Sequence, residues 1–272
     1  MPGVSVAIAV DGMLVYAKAY GTADTSTGEA LTVYSRMRIA SVSKPIKAMA
    51  IVQLAEAGLL MLSDLVFGDD GKLGNDYGTM AYSTNLTSIT IDHLLTHTSG
   101  GWGDGIGGDT MFDRTDLDHD GLITWTIDTF PQVNAPGTIF AYSNFGYCLL
   151  GRIIERATGM SYEAWVAGNT LSQCGITGMQ IAGDSLSERA DDEVVYDGTN
   201  APIEGTSKSL GDPYGIPVRR MDAHGGWIAT ATDLLRVLVH TDGLDTSYDI
   251  IIADSVTNMT TGTMANPGYG RG

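Results

Sequence analysis

Lysine, cysteine and long hydrophobic runs are all scarce in this chain of 272 residues. The two cysteines, Cys148 and Cys174, are too few for a disulfide framework or a cysteine-based metal site. No apolar run reaches the roughly 18 residues that a transmembrane helix needs, so we expect no membrane span. With 15 basic residues against 32 acidic ones, the net charge of −17 argues against a nucleic-acid partner.

The first residues also lack the basic segment and the short apolar stretch of a secretory signal peptide. We therefore expect a soluble protein without a signal peptide on this chain. The sequence does not distinguish a cytoplasmic location from a periplasmic or extracellular one. Apolar residues make up 43% of the chain, which is enough for a real core.

The order of the sequence patterns predicts an α+β fold in which strands come first and helices fill the middle. Apolar and small residues alternate over residues 4–10, and the two-residue turn Asp11-Gly12 returns the chain as a second strand. Because two strands alone rarely make a stable sheet, we expect further strands from outside this sequence or from a partner chain.

We expect a single unit over residues 1–272 with three parts, at 1–40, 41–243 and 244–272. The first part is the N-terminal hairpin, and the second is mostly helical and carries the motifs described below. The third is the beginning of a C-terminal part that this sequence does not complete.

Residues 41–58 contain the first chemical motif. The run from 46 to 57 is rich in helix formers and stops at Gly58, and Pro45 is tolerated only in a first turn, so a helix begins between Ser41 and Ser43. Ser41 and Lys44 then share one face of the helix. A serine beside the free N–H groups of a helix N-terminus suits a nucleophile, and a lysine in an apolar helix suits a base.

The Ser-x-x-Lys spacing is weak evidence when taken alone. With 18 serines and 5 lysines in the chain, chance gives about 0.3 matches. A capped helix with a lysine that extends to solvent is the alternative.

Two further pairs of residues permit both a chemical and a structural interpretation. His93 and His97 are four residues apart on a predicted helix, but no third ligand follows in a zinc-protease pattern, so structural histidines are favoured. Arg219-Arg220 has the form of a carboxylate clamp, and surface charge is the simpler interpretation.

Residues 116–124 resemble the first half of a calcium-binding loop of the EF-hand type. Asp116, Asp118 and Asp120 occupy the three carboxylate positions, and Leu122 would supply a backbone carbonyl. Ile127 stands where a bidentate glutamate belongs. These residues are a candidate site for a structural calcium ion, with a solvated acidic turn as the alternative.

Five short motifs occur in an order that is typical of one superfamily. They are Pro2-Gly3-Val4, Ser41-x-x-Lys44, residues 94–100 (LLTHTSG), Pro136-Gly137 before Tyr142-Ser143-Asn144, and Gly225-Gly226 before residues 230–234. Through them the chain resembles the serine β-lactamases and penicillin-binding proteins, and most of all the class C-like branch with family VIII carboxylesterases and D-aminopeptidases. The resemblance covers nearly the whole chain. It implies a β-lactamase-like fold, an antiparallel sheet flanked by helices beside a mostly helical region.

The resemblance implies a role for each motif residue. Ser41 would be the acylated nucleophile, and Lys44 would take or relay its proton. Tyr142 would act as general base and then protonate the leaving group, which requires that Lys44 lowers its pKa. Asn144 would orient Lys44 and the substrate, and the Ser41 backbone N–H would form half of the oxyanion hole. This chemistry requires no cofactor.

The chain departs from the family pattern in two places. The family's third motif lies on a strand after a Tyr-Gly-x-Gly segment like residues 269–272, where this sequence ends, so we expect the C-terminal sheet strands to be missing from it. His224, before Gly225-Gly226, is a candidate substrate-binding residue in place of that motif. The acidic segment 116–120 is not part of the family's core.

These features favour a serine hydrolase with a Ser41 acyl-enzyme, most of all a carboxylesterase on small acyl esters. β-Lactam hydrolysis or cleavage of D-amino-acid peptides and related amides uses the same machinery, and no sequence feature separates them. An alternative of another class is a catalytically incomplete domain that binds a ligand or a partner chain, including self-association through an exposed sheet edge.

Overall fold

The computed structural model describes residues 2–104, 108–196 and 213–272. In chain order the strands are β1 (Gly3–Val10), β2 (Met13–Asp24), β3 (Glu29–Ala30), β4 (Met37–Arg38), β5 (Gln180–Ile181) and β6 (Trp227–Ala229). The α-helices are α1 (Ser43–Glu56), α2 (Thr84–Thr87), α3 (Ile91–Leu95), α4 (His119–Thr129), α5 (Asn144–Thr158), α6 (Tyr162–Trp165), α7 (Asp222–Gly225), α8 (Ala231–Val239) and α9 (Ala253–Thr260). Within the described ranges, no helix has both the length and the apolar character needed to cross a bilayer.

β1 and β2 form the antiparallel hairpin that the alternating pattern predicts, and pairing ends at Val10 opposite Met13. The turn residues Asp11 and Gly12 have φ of 50° and 74°. Positive φ at both central positions gives a turn whose twist matches that of the two strands. β3 pairs with the far side of β2, so β1 lies at the edge of this three-stranded sheet.

A second sheet, ordered β4-β6-β5, joins segments that are far apart in the sequence. Met37 of β4 lies opposite Ala229 of β6, and Ile181 of β5 lies opposite Trp227. The sequence patterns do not predict this sheet, because strands of two or three residues are too short to show alternation. The pairing holds the chain just before Ser41 beside the chain that follows α7.

α1 lies in the main hydrophobic core and is buried on all sides. Its core residues include Ile46, Met49, Ile51 and Leu54, each at most 3% exposed. α5 and α7 both pack against it. A helix that is enclosed in this way is a rigid support for any functional side chain near its N-terminus.

Residues 119–129 form α4 and not the loop that the calcium-binding pattern predicts. Asp118 caps this helix, since its side chain accepts from the Gly121 N–H at 2.8 Å. Asp120 lies in the first turn, where the positive end of the helix dipole favours an acid. Leu122 and Ile123 are fully buried. Capping and burial therefore stabilise a helix over the second half of the proposed loop.

Arg220 lies inside the protein, which corrects its interpretation as surface charge. It is 5% exposed, and its guanidinium donates to the backbone carbonyls of Met111, Asp113, Arg114 and Leu117 at 2.6–3.0 Å. The sequence alone does not indicate that Arg220 is buried while the adjacent Arg219 is exposed. Arg220 thereby fixes the loop before α4 against the segment that leads into α7.

We expect Arg220→Ala to lower the free energy of unfolding by about 3–5 kcal/mol, because four carbonyls lose a charged donor. Arg219→Ala is the matched control, since Arg219 pairs with Glu188 at the surface and its loss should cost less than about 1 kcal/mol. Urea denaturation of both variants measures the difference. Equal effects would contradict the structural role of Arg220.

Candidate active site

Ser41 lies in a short 3₁₀ turn, Ala40–Val42, between β4 and α1, and α1 begins at Ser43 within the predicted limits. Ala40 has φ of 45°, a left-handed conformation that costs a non-glycine residue about 1–2 kcal/mol. The Ile39 N–H donates to the Trp227 carbonyl at 3.0 Å, which anchors the turn to β6. Ser41 itself is exposed, so a substrate can reach its hydroxyl.

Lys44 is buried next to Ser41, and its Nζ has three hydrogen-bond partners. They are Ser41 Oγ at 3.0 Å, Asn144 Oδ1 at 2.6 Å and the His224 backbone carbonyl at 3.1 Å. An ammonium carries three N–H groups, so these acceptors satisfy it. When the amine is neutral, the Ser41 hydroxyl can donate to Nζ, which is the arrangement of a nucleophile and its base.

Two opposing effects determine the pKa of Lys44. Burial, the larger effect, disfavours the ammonium, while the carboxylates of Asp109 and Asp104 favour it. Together they lower the pKa of Lys44 from 10.5 to about 7. Lys44 therefore exchanges its proton near neutral pH, as a general base must.

Tyr142 lies on the other side of the pair. Its hydroxyl is hydrogen-bonded to Ser41, and Lys44 Nζ is 4.7 Å from its ring centroid. Burial raises the pKa of Tyr142, the Ser41 hydrogen bond lowers it by less, and the two nearby carboxylates raise it further.

The raised pKa corrects the expectation that Lys44 lowers the pKa of Tyr142. The reason is that the Lys44 amine lies over the ring and loses its charge near pH 7, while burial of the phenol acts at every pH. At neutral pH Tyr142 is a phenol that can donate a proton, and the Lys44 amine can accept one.

Asn144 is the first residue of α5, and Ser143 caps that helix by accepting from the Gly146 N–H at 2.9 Å. This cap explains why the helix begins at Asn144 and directs its side chain toward Lys44. The structure thus brings together the four residues that the motifs single out, Ser41, Lys44, Tyr142 and Asn144.

His97 packs its ring between Tyr142 and Tyr147, with centroid distances of 4.4 and 4.8 Å. Its Nδ1 accepts from the Ser143 N–H at 3.0 Å, so the proton is on Nε2, which donates to the Tyr269 hydroxyl at 3.0 Å. Burial holds the pKa of His97 well below its usual value, and the ring is neutral. His97 therefore supports the wall of the site, as a structural histidine.

Two residues of this site are missed by the sequence patterns. Tyr269 begins the Tyr-Gly-x-Gly segment, but that resemblance gives it no role in the site, and its contact with His97 is visible only in the fold. Lys47 is fully buried one turn after Lys44, with Nζ 3.3 Å from the Tyr147 ring centroid and 3.3 Å from the Tyr147 carbonyl. Its spacing of three from Lys44 is the one signal that could have indicated it.

His224 contributes its backbone carbonyl to the site and not its ring. The residue is 1% exposed, and burial holds its pKa well below the usual value. The prediction that His224 binds substrate is therefore not supported, because its ring lies inside the protein.

Two of the residues singled out as metal ligands, His93 and Asp116, have other partners. His93 Nδ1 accepts from the Thr90 N–H at 3.1 Å, and Asp116 pairs with Arg114 at 2.7 Å. In the part of the chain that the structure describes, no three or more His, Cys, Asp or Glu side chains are arranged to hold a metal ion. Calcium binding by Asp116, Asp118, Asp120 and Leu122 stays a prediction. A melting temperature that rises in millimolar calcium would support it, and an unchanged one would contradict it.

The comparisons with known proteins agree with this geometry. A family model described as Beta-lactamase matches residues 1–272. The protein flp of Staphylococcus aureus is 30% identical over 177 residues, which are 65% of this chain and 34% of that protein. The chain thus spans about a third of the length of this relative.

Two solved structures match in fold. The octameric penicillin-binding protein homologue from Pyrococcus abyssi has a TM-score of 0.74 and 28% identity, over 99% of this chain and 60% of that one. EstCE1, described as a hydrolase with promiscuous acyltransferase activity, has a TM-score of 0.75 over 99% of this chain and 77% of that one, and at 20% identity this likeness concerns the fold alone. The match of the family model over residues 1–272, on a mixed α and β fold of this kind, shows that the chain belongs to the β-lactamase family.

Proposed function

We propose that this chain is a serine hydrolase that acts through a Ser41 acyl-enzyme, most of all a carboxylesterase on small acyl esters. The observation that carries the proposal is the hydrogen bond of 3.0 Å between Ser41 Oγ and Lys44 Nζ. The pKa of the Lys44 amine is about 7. A lysine with an ordinary pKa would be charged at neutral pH and could not accept the serine proton.

In acylation, Ser41 Oγ attacks the ester carbonyl carbon while its proton passes to the neutral Lys44 amine. The negative charge moves to the carbonyl oxygen, where the Ser41 backbone N–H stabilises it. As the ester C–O bond breaks, the leaving alkoxide takes a proton from the Tyr142 hydroxyl, and the Lys44 ammonium returns a proton to Tyr142. Water then attacks the acyl carbon, and its proton passes through Tyr142 to the Lys44 amine. As the bond between the acyl carbon and Ser41 Oγ breaks, the Lys44 ammonium returns a proton to Oγ, which releases the acid and restores Ser41.

An ester is favoured over an amide because an alkoxide leaves more easily than an amide anion and needs less help from an acid. Tyr142, whose pKa is raised, is a weak acid for that help. β-Lactams and peptides of D-amino acids are the rival substrates, and the likeness to penicillin-binding-protein relatives keeps them as candidates.

The test compares p-nitrophenyl butyrate, a chromogenic cephalosporin and D-alanyl p-nitroanilide, with product release and intact mass recorded for each. Fastest turnover of the ester supports the esterase. Fastest turnover of one of the others would assign the site to that substrate class. A chain that melts cooperatively, yet neither turns over nor forms an adduct, would contradict a hydrolase.

A second candidate function, of another class, is binding of a second copy of this chain along β1. β1 lies at a sheet edge beside a groove of about 610 Å³ that residues of α1, α8 and α9 also line. Val4, Ile8 and Val10 of β1 are each more than 40% exposed. An unpaired edge with apolar side chains is a template for another strand, and the homologue from Pyrococcus abyssi is octameric.

Light scattering after gel filtration tests this second candidate. A dimer or larger assembly that Ile8→Lys dissociates would support it, because a charged side chain on an edge strand opposes pairing. A monomer at every concentration would contradict it.

A further inference from the structure

We propose that Asp109 is a positioning residue for this reaction, whose carboxylate fixes the Asn144 amide and faces the Lys44 amine. The inference rests on the proposed function and deepens it. Asp109 follows a glycine-rich stretch and belongs to none of the sequence motifs, so its contacts are visible in the fold alone.

Asp109 is 8% exposed, and its two carboxylate oxygens have separate partners. Oδ1 accepts from the Met111 N–H at 3.1 Å and caps the 3₁₀ turn Thr110–Phe112. Oδ2 accepts from the Asn144 backbone N–H at 2.7 Å. The second bond ties the loop before α4 to the first residue of α5, at the point where Asn144 meets Lys44.

Burial raises the pKa of Asp109, and the Asn144 side-chain amide opposes this rise as a hydrogen-bond donor. A carboxylate only accepts, so the part of the amide that faces Asp109 is the NH₂ group. Oδ1 is then on the other side, where it accepts from Lys44 Nζ at 2.6 Å. Without Asp109 the amide can rotate and direct its NH₂ group toward Lys44. The NH₂ group and the Lys44 ammonium are both hydrogen-bond donors, so the bond between these side chains would be lost.

Asp109 also determines the charge around Lys44. The titratable groups that face Lys44 from the packed elements are Asp104, Asp109, Lys47, His97, His224, Tyr142 and Tyr147. Burial lowers the pKa of the second lysine and of the two histidines, and it raises the pKa of the two tyrosines, so none of them favours the Lys44 ammonium. The two carboxylates are therefore the groups that raise the pKa of Lys44 against burial, and Asp109 has the larger effect.

Asp109→Asn keeps the shape of the side chain and removes its charge. We expect the acid limb of kcat/KM for p-nitrophenyl butyrate to move down by about 1 pH unit, because the Lys44 ammonium loses a stabilising charge. We also expect the plateau kcat to fall roughly 10- to 100-fold, because the Asn144 amide loses its orientation. A purely structural role would lower the plateau or the stability without moving the limb.

Asp24→Asn is the matched control, because Asp24 on β2 is similarly buried at 9% exposed, accepts from the backbone N–H two residues later, that of Ser26 at 2.8 Å, and loses the same charge outside the site. Its acid limb should coincide with that of wild type. Asp109→Ser is a second variant, since serine keeps the cap on the Met111 N–H without the charge. Acid limbs of both Asp109 variants that coincide with wild type would overturn the proposal. Failure of both to fold would do so too, since Asp109 would then act on folding.

Titration of Lys44 by NMR, on protein with ¹³Cε-labelled lysine, separates this inference from the proposed function. A Lys44 signal that titrates at lower pH in Asp109→Asn supports the inference even if no ester is hydrolysed. An unchanged Lys44 titration overturns it even if wild type hydrolyses esters. A wild type that forms no acyl adduct, together with a shifted Lys44 titration, contradicts the proposed function alone.

Discussion

Ser41→Ala is expected to abolish turnover of p-nitrophenyl butyrate, with a fall in kcat/KM of at least about 10³-fold. The Ser41 Oγ is the exposed hydroxyl that both Lys44 Nζ and the Tyr142 hydroxyl contact, and alanine leaves no atom to attack the ester. The side chain lies at the surface, so the variant should fold and melt as wild type does. Initial rates, and the acyl adduct in intact mass spectra, measure the effect.

Ser43→Ala is the matched control for this experiment. Ser43 lies two residues later at the beginning of α1, is fully buried, and its Oγ has no hydrogen-bond partner among the described residues. Its loss should leave both the rate and the adduct at wild-type levels. An adduct that persists in Ser41→Ala, or one that disappears in Ser43→Ala, would show that the nucleophile is misassigned.

The hairpin and α1 could be predicted from the sequence because their signals are local. A two-residue Asp11-Gly12 turn between alternating segments specifies β1 and β2, and Pro45 followed by an unbroken apolar run specifies where α1 begins. The predicted fold class, α+β and β-lactamase-like, is confirmed. The signals for the hairpin and for α1 each lie within about twenty residues of the element that they specify.

The second sheet and α4 could not be predicted, because their causes are not local. Met37 pairs with Ala229, which is 192 residues later, and Ile181 pairs with Trp227, which is 46 residues later, so this sheet forms only when distant segments fold together. The acidic residues from Asp116 to Asp120 have the spacing of a calcium loop. Burial of Leu122 in the core stabilises a helix over residues 119–129 instead. Tertiary burial outweighs a local pattern in this case.

The same division applies to the candidate site. Ser41, Lys44, Tyr142 and Asn144 come from ordered motifs, so their meeting could be expected from the resemblance. The raised pKa of Tyr142 could not be expected from the sequence, because it results from burial of the phenol in the folded protein. Asp109 likewise has no motif, and its bond to Asn144 spans 35 residues.

Lys44→Met is expected to lower kcat by about 10²–10⁴-fold, because it removes the group that takes the Ser41 proton. In wild type, kcat/KM should rise with pH and reach half of its plateau near pH 7, since the base acts only when the amine is neutral. The variant should lose this inflection, because it removes the amine whose pKa is about 7. The pH–rate profile of each protein measures both effects.

Lys47→Met tests whether Lys44 specifically is the base. Lys47 is a buried amine on the same helix, and its Nζ contacts Tyr147 and not Ser41, so this variant should keep the plateau and the inflection near pH 7. Burial lowers the pKa of Lys47 in the folded protein, so between this lowered pKa and the usual value the unfolded chain binds more protons. The free energy of unfolding of wild type, relative to Lys47→Met, should therefore rise as the pH increases toward about 10. Loss of the inflection in Lys47→Met, with its retention in Lys44→Met, would identify Lys47 as the base and contradict the assignment of Lys44.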